Sequence, residues 1–494
     1  MKAYYIGVDI GTTSTKSVLF SLDGNERFKY SIEYPLFTSI DGTAEQNPEE
    51  VFQAVFHTIQ ACVHYANQEN ILIRAISFSS AMHSLILVDH RNQPITNLMT
   101  WADTRSSKWA TNLKESDTGK ELYQQTGTPI HTMTPLSKLI WLKNERPKWF
   151  EQAHKFISIK EYILFELFGE YVIDYATAGA TGLMNLNTLT WDKRALSLVE
   201  VDEHRLSTIV PTTYLLPPMK ESFRNALGLS PDTSYIIGAS DGVLSNLGVN
   251  AIQDGVVALT IGTSGAIRTV VSEPTTEENG SIFCYPLTTN NWVIGGPVNN
   301  GGVILRWLKE LFECDYETLN ALAKNVPPGA DRLFFHPYLT GERAPIWNSD
   351  AKGSFFGLTL NHGKPHITRA VMEGVIFNLY TVMTKLKPFM KEPKCIRASG
   401  GFANSPLWCQ MVADIFQMRV EIPSSIESSS YGAVLLAGYA LGDIHTFERN
   451  DTMDEAMKVF CPNNHNVREY EKLFPMYEKI QNQLTPLHTE HAHI

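Results

Sequence analysis

Positive charge is in short supply in this chain: 41 Lys and Arg stand against 52 Asp and Glu, a formal net charge of −11 with His neutral. That balance excludes a general binder of nucleic acid or of anionic membranes, because either partner would be repelled over most of the surface. An anionic ligand has to be met locally, by backbone N–H groups, a few Lys or Arg side chains, or a divalent cation. Cysteine is scarce too. The six, Cys62, Cys284, Cys314, Cys395, Cys409 and Cys461, form no CxxC pair and no metal-ligand spacing, which excludes a structural zinc and fits reduced, mostly buried thiols. No 18-residue apolar window occurs, and the opening MKAYYIGVDIG has neither an apolar leader nor a cleavage-site pattern, so a cytoplasmic protein is expected. The histidines His488, His491 and His493 read as a solvated polar terminus without a role.

Apolar material, by contrast, is ample. With 494 residues and 43% hydrophobic content, the chain exceeds the size at which one core keeps growing, so two domains of similar size with a cleft between them are expected. Tyr4 to Ile10, the turn Gly11 to Ser14, Thr15 to Ser21, Asp23-Gly24 and a third β-rich run describe a β-meander. Asn47-Pro48-Glu49-Glu50 then opens a helix, with a capping residue, a first-turn proline and two acids at the positive end of the dipole. Val51, Phe52, Val55, Ile59, Cys62 and Val63 fall on one face of that helix, which therefore covers a sheet. The meander returns past mid-chain. LTIGTSGAIRTVV echoes VDIGTTSTKSVLF, with Gly262 standing where Gly11 stands, and this places a boundary near residue 247, between a domain at 1–246 and another at 247–494.

DIGTTSTK is a plausible phosphate cradle, since glycine lets the backbone approach a phosphate while threonine hydroxyls and free N–H groups donate to its oxygens. It is not a Walker loop: Thr15 stands where that spacing needs glycine, and a strand follows rather than a helix. Asp9, just before the turn, is the natural carboxylate to hold a magnesium ion, directly or through water; a strand-end acceptor is the plainer role. YIIGASDGVLSNLG reads as strand, tight turn and helix with Asp241 at the turn, either as a helix cap or as a general base.

Two longer stretches carry a family resemblance. Met133-Thr134-Pro135-Leu136-Ser137-Lys138-Leu139-Ile140-Trp141-Leu142-Lys143-Asn144-Glu145 resembles the first FGGY carbohydrate kinase signature, and Gly353-Ser354-Phe355-Phe356-Gly357-Leu358, continuing to His366-Ile367, Ala370 and Glu373, resembles the second. From residue pattern alone both are packing elements, an amphipathic helix and a glycine-rich turn leading into a helix. The resemblance runs from the DIGTT turn to the GAVLLAG helix. It implies an α/β fold of duplicated actin-like ATPase (ribonuclease H-like) domains, each a mixed β-sheet flanked by helices, and an enzyme that uses ATP and Mg2+, with a homodimer as the expected assembly.

By resemblance, the ATP-binding pieces fall on Thr12 and Thr13, Gly262 and Thr263, Gly301 and Gly302, and Gly400 and Gly401 followed by Asn404. Gly400-Gly401 lies between an apolar run, Cys395 to Ala398, and a helix start at Ser405-Pro406, so the chain can pass close to a flat base. Asn299-Asn300-Gly301-Gly302 opens the helix VILRWLKELF and points free N–H groups outward; capping is compatible with both uses. The same resemblance makes Asp241 the catalytic base and places Met82 and His83 (SSAMHSL), Trp101, Asp103 and Arg105 (TWADTR), Met133 and Asp241 against a polyol. Ordinary alternatives exist: Met82, Trp101 and Met133 as core, Asp103 and Arg105 as a helix-start pair.

SSAMHSLI, TWADTR, GTPIHTMTPLSKLIWL and FISIKEYI resemble the branch of the family that phosphorylates gluconate more than those acting on xylulose or glycerol, although Thr132 stands where that branch often has proline. A sugar acid calls for a cation in its pocket, and His83, Arg105 and Lys160 are the candidates. The rival readings are a kinase for xylulose or another polyol, and an actin-like ATPase that is not a kinase; the latter has no use for a Met82-His83 pocket or for the two signatures.

Overall fold

Strand β1 (Tyr4–Ile10) turns through Gly11 into antiparallel β2 (Ser14–Ser21), which pairs with antiparallel β3 (Glu26–Glu33). The other side of β1 takes β4 (Ile73–Ser80) in parallel, and β4 takes β5 (Ser234–Ser240) in parallel, giving the order β5-β4-β1-β2-β3. Asn47 caps the helix Pro48–Gln68 by accepting from the Glu49 N–H, and its residues Val51, Phe52, Val55, Ile59, Cys62 and Val63 are all buried, the face that the 3.6-residue period predicts. They join Ile6, Val8, Ile76 and Phe78 in one core. This computed structural model describes residues 3–423, 427–449 and 457–492; His493 of the terminal histidines lies outside them.

The chain forms two compact units, one of Met1–Ile252, Val271–Val293 and Glu427–Arg449, the other of Gln253–Val270, Ile294–Ile426 and Asn450–Ile494. Glu427–Arg449 contains the helix Ser428–Ala440, which packs on the first unit's helix Asp241–Gly248 at very close range. A Cβ on Gly432 would stand 2.0 Å from the Leu244 carbonyl oxygen, and one on Gly248 1.9 Å from that of Ser428. Side chains larger than hydrogen are excluded at both places.

The second unit repeats the plan. β6 (Val256–Ile261) is antiparallel to β7 (Gly265–Val271) and parallel to β9 (Cys395–Ser399), which is parallel to β10 (Arg419–Ile422); with β8 (Trp292–Val298) and β11 (Lys458–Phe460) the order is β8-β7-β6-β9-β10-β11, and the strand Phe283–Pro286 lies beyond β8 as the seventh. Two parallel strands followed by an antiparallel hairpin thus occur in both units, as the sequence echo predicts. Helix Lys364–Leu386 is buried from Thr368 to Met383 and forms the spine of this core.

Among the described residues all six cysteines are free, but only Cys62, Cys284 and Cys409 are buried and Cys461 is exposed. Among the described residues no helix is long and apolar enough to cross a membrane. The terminal histidines are not uniformly solvated: His488 is 6% exposed, meets the Tyr338 ring edge-on and accepts the Lys352 N–H, because the closing helix Asn464–Ala492 packs against the unit.

Candidate active site

In the first unit the register places Asp9 beside Ser79, Ser79 beside Ala239, and Ser80 beside Ser240. The carboxyl ends of three adjacent parallel strands therefore release the Gly11–Thr13 turn, the Ala81–Ser84 loop and Asp241 at one edge of the sheet, where open α/β sheets bind ligands. The turn is held from several sides. Tyr34 donates to the Gly11 carbonyl at 2.6 Å, Gln46 to the Thr12 carbonyl at 2.7 Å, and the Trp101 indole N–H to Thr12 Oγ1 at 2.9 Å.

Asp241 opens the helix Asp241–Gly248 and accepts the Gly242 N–H at 2.7 Å. Asp9 accepts from the Ser79 hydroxyl at 2.8 Å, and Lys16 pairs with Glu427 at 2.7 Å nearby. Burial, reinforced by the charge of Asp241, raises the Asp9 carboxyl to about 6. Two carboxylates that share one field at a phosphate-sized turn fit a hard divalent cation, which takes one or two protein carboxylates and completes its shell with phosphate and water. No group of three or more His, Cys, Asp or Glu is arranged for a metal among the described residues, so a fully protein-built cage is absent there.

The expected polyol residues divide into three kinds. Met82 and Trp101 are half-buried and line a crevice with Thr12, Gln46 and Thr100, but at about 10 Å³ it is too small to be a sugar pocket itself. His83 sits beside it with a left-handed backbone (φ 67°), its Nδ1 2.7 Å from the Ala180 carbonyl and its ring edge-on to Tyr285. The others are committed elsewhere. Asp103 is fully buried, accepting from the Ala44 N–H and from Arg105 Nε at 2.9 Å, so its expected contact with a polyol is corrected to a scaffold role. Arg105 pairs with both Asp103 and Glu45 and lies over the Trp141 ring. Met133 has no accessible surface, so its side chain is core rather than pocket wall.

Arg105 and Lys160, two of the three expected carboxylate receptors, are thus charge-balanced within the unit. Lys160 is 2% exposed, bonded to Asp174 at 2.8 Å and to the Ala239 carbonyl at 3.3 Å; burial lowers its pKa while Asp174 opposes that shift. Its service is to the strand end two residues before Asp241.

In the second unit a cavity of about 530 Å³ is lined by Gly262, Thr263, Gly302, Gly401, Asn404 and Tyr316, among others. Five of these come from the expected nucleotide-binding set, and the size suits a nucleoside. Gly301 and Gly400 stand behind them. Cβ atoms would lie 2.5 Å from the Ser264 carbonyl at Gly301 and 2.5 Å from the Ile261 oxygen at Gly400, where φ is +99°. Gly401 differs: it is exposed, and a Cβ there meets no protein atom within 4 Å, so protein packing does not require glycine at this position. The Gly302 N–H donates to the Gly262 carbonyl at 2.6 Å and ties the two turns together.

Two residues escaped the sequence reading. Lys138 is fully buried and donates to the carbonyls of His83, Thr100 and Met133; a lysine three residues after Pro135 and four before Leu142, on a buried helix face, was a signal. Glu342 is fully buried and accepts from the Asn299 and Arg343 N–H groups and the Asn300 and Asn378 amides. Burial raises Glu342 to about 7 against those donors. Nothing local in Gly341-Glu342-Arg343 announces it.

Mixed, duplicated sheets with glycine-threonine turns at their strand ends define a two-domain α/β sugar kinase fold. The chain belongs to the FGGY family of carbohydrate kinases: it matches the family's N-terminal domain over residues 4–248 and its C-terminal domain over 257–441. It is 50% identical to the gluconokinase of Bacillus subtilis (strain 168), over 100% of this chain and 98% of that protein, and 28% identical to the xylulose kinase of the same organism, over 98% of each. Among solved structures, a gluconate kinase from Lactobacillus acidophilus superposes with a TM-score of 0.94 at 40% identity, covering 99% of both chains. A ligand-bound xylulose kinase from that organism gives the same TM-score and identity, covering 99% of this chain and 100% of that one.

Proposed function

We propose that this protein transfers the γ-phosphoryl group of ATP to D-gluconate, giving 6-phosphogluconate and ADP, as a magnesium-dependent cytoplasmic enzyme. The observation that carries the choice of sugar is the gap between 50% and 28% identity to the two Bacillus subtilis kinases over almost equal lengths. The two Lactobacillus structures do not discriminate, since they are equally similar and bear different substrate names.

Residues 1–246 supply the base and the polyol contacts, and residues 247–494 supply most of the nucleotide site, with Gly262, Thr263, Gly302, Gly401 and Asn404 around ATP. Thr12 and Thr13 hold phosphate oxygens in the first unit. A substrate hydroxyl attacks the γ-phosphorus in line, the bond to the bridging oxygen breaks, and Asp241 accepts the hydroxyl proton. An ionised aspartate suffices, because phosphoryl transfer passes through a loose transition state in which positioning and charge neutralisation dominate. Asp9 would hold magnesium, which neutralises phosphate charge when bound. Met82, His83 and Trp101 orient the polyol.

An ADP-release assay over gluconate, xylulose and glycerol tests the reading. Gluconate is expected to lead in kcat/KM by about 100-fold or more, the discrimination available to a site built for a charged group. Comparable turnover of xylulose would overturn it.

A further inference from the structure

We propose that Lys138 is a positioning residue for the polyol site: its ammonium group ties the loops carrying His83 and Trp101 to the segment that leads into its own helix, and polyol binding depends on its keeping all three protons. The proposal rests on reading the strand-end edge of the first unit as the polyol site.

Lys138 Nζ donates to the carbonyls of His83 at 2.7 Å, Thr100 at 2.7 Å and Met133 at 3.0 Å. The His83 and Thr100 acceptors come from two loops remote in sequence, the Met133 acceptor from the segment just before the helix Pro135–Glu145, and the lysine itself projects from that helix. An ammonium group has three N–H donors, so the three carbonyls consume all of them. A neutral amine has two and would aim a lone pair at the third oxygen. One loop must then relax, and the loop at His83 is the one with most to lose, since a non-glycine residue is held there at φ 67°.

The charged groups facing Lys138 are Asp103, which favours the ammonium, and Arg105, which opposes it; His83 lies on a tied loop and His131 on the loop before Met133. Burial brings Lys138 down to about 7. The tie is therefore complete in mildly acid solution and incomplete in alkali. A lysine serving only as a core staple would change the melting temperature and leave the substrate constants of the folded enzyme alone.

The test compares KM for gluconate and for ATP in wild type and Lys138→Met at pH 6.5, with the wild type repeated from pH 6 to 9. The variant is expected to raise KM for gluconate about 30-fold while KM for ATP stays within about twofold, a split that marks lost acceptor binding. In the wild type, KM for gluconate is expected to climb with pH. An unchanged KM for gluconate in folded Lys138→Met sinks the proposal. Should that variant fail to fold, a wild-type KM for gluconate that is flat across the pH range sinks it instead. A wild type that ignores gluconate and phosphorylates xylulose refutes the substrate reading alone, and the same series run with xylulose then decides the role of Lys138.

Discussion

Asp241 lends its negative charge to Asp9, and that charge adds to burial in holding the Asp9 carboxyl at about 6. The two acids lie far apart in sequence and meet because β1, β4 and β5 end side by side. One is suited to accept a proton from a substrate, the other to face a cation.

Replacing Asp241 by Ala is expected to reduce gluconate-dependent ADP release by about 10²–10⁴-fold, the usual worth of a positioned acid–base group, with ATP affinity within about twofold of wild type. Calorimetric titration with ATP and a coupled assay check both. Turnover surviving near the wild-type level would remove Asp241 from the mechanism.

Asp9→Asn separates stability from function. A carboxyl raised from 3.8 to about 6 stabilises the fold fully below its unfolded value and loses that contribution as pH rises through the folded one. The Asn variant is therefore expected to gain stability relative to wild type between pH 5 and 8, by at most ~3 kcal/mol, and less where solvent reaches the carboxylate. Denaturant midpoints at both pH values measure this. Activity falls, with a raised magnesium requirement.

The paired glycines predict opposite outcomes. Gly401→Ala has room for its methyl group in the protein and is expected to leave stability within about 0.5 kcal/mol while raising KM for ATP about tenfold, ~1.4 kcal/mol of binding. Gly400→Ala forces a Cβ against Ile261 at a left-handed φ and should cost about 2 kcal/mol or more of stability. Thermal melts beside ATP kinetics separate the two.

Glu342→Ala removes the acceptor for four N–H donors around Asn299 and Asn300. Buried donors left without partners cost about 1–3 kcal/mol each, so a drop of several kcal/mol is expected. In protein that still folds, KM for ATP should rise through the loosened Gly301–Gly302 turn, while KM for gluconate stays unchanged. A variant as stable as wild type would show that water replaces the carboxylate.

Much of the fold around the candidate site was legible because its signals are local. Asn47-Pro48 announced a helix start, the Gly11 and Gly262 turns announced two equivalent hairpins, and Gly301 and Gly400 announced places where the chain runs tightly against other backbone. Asp103, Arg105 and Lys160 were misleading for the opposite reason. Each is polar and suitably placed in sequence, but Glu45 and Asp174 arrive from other elements and absorb the charges of Arg105 and Lys160.

The order of strands and turns, the repeat and the family signatures were therefore determined by the sequence itself, since backbone preference and hydrophobic period act over a few residues. Which polar side chains remain for a ligand was decided only by the tertiary structure. Burial presses polar groups to find partners, and the His83 and Thr100 carbonyls at Lys138, the Asn299, Asn300 and Asn378 donors at Glu342, and the Glu45 carboxylate at Arg105 are brought by chain segments that local pattern does not connect.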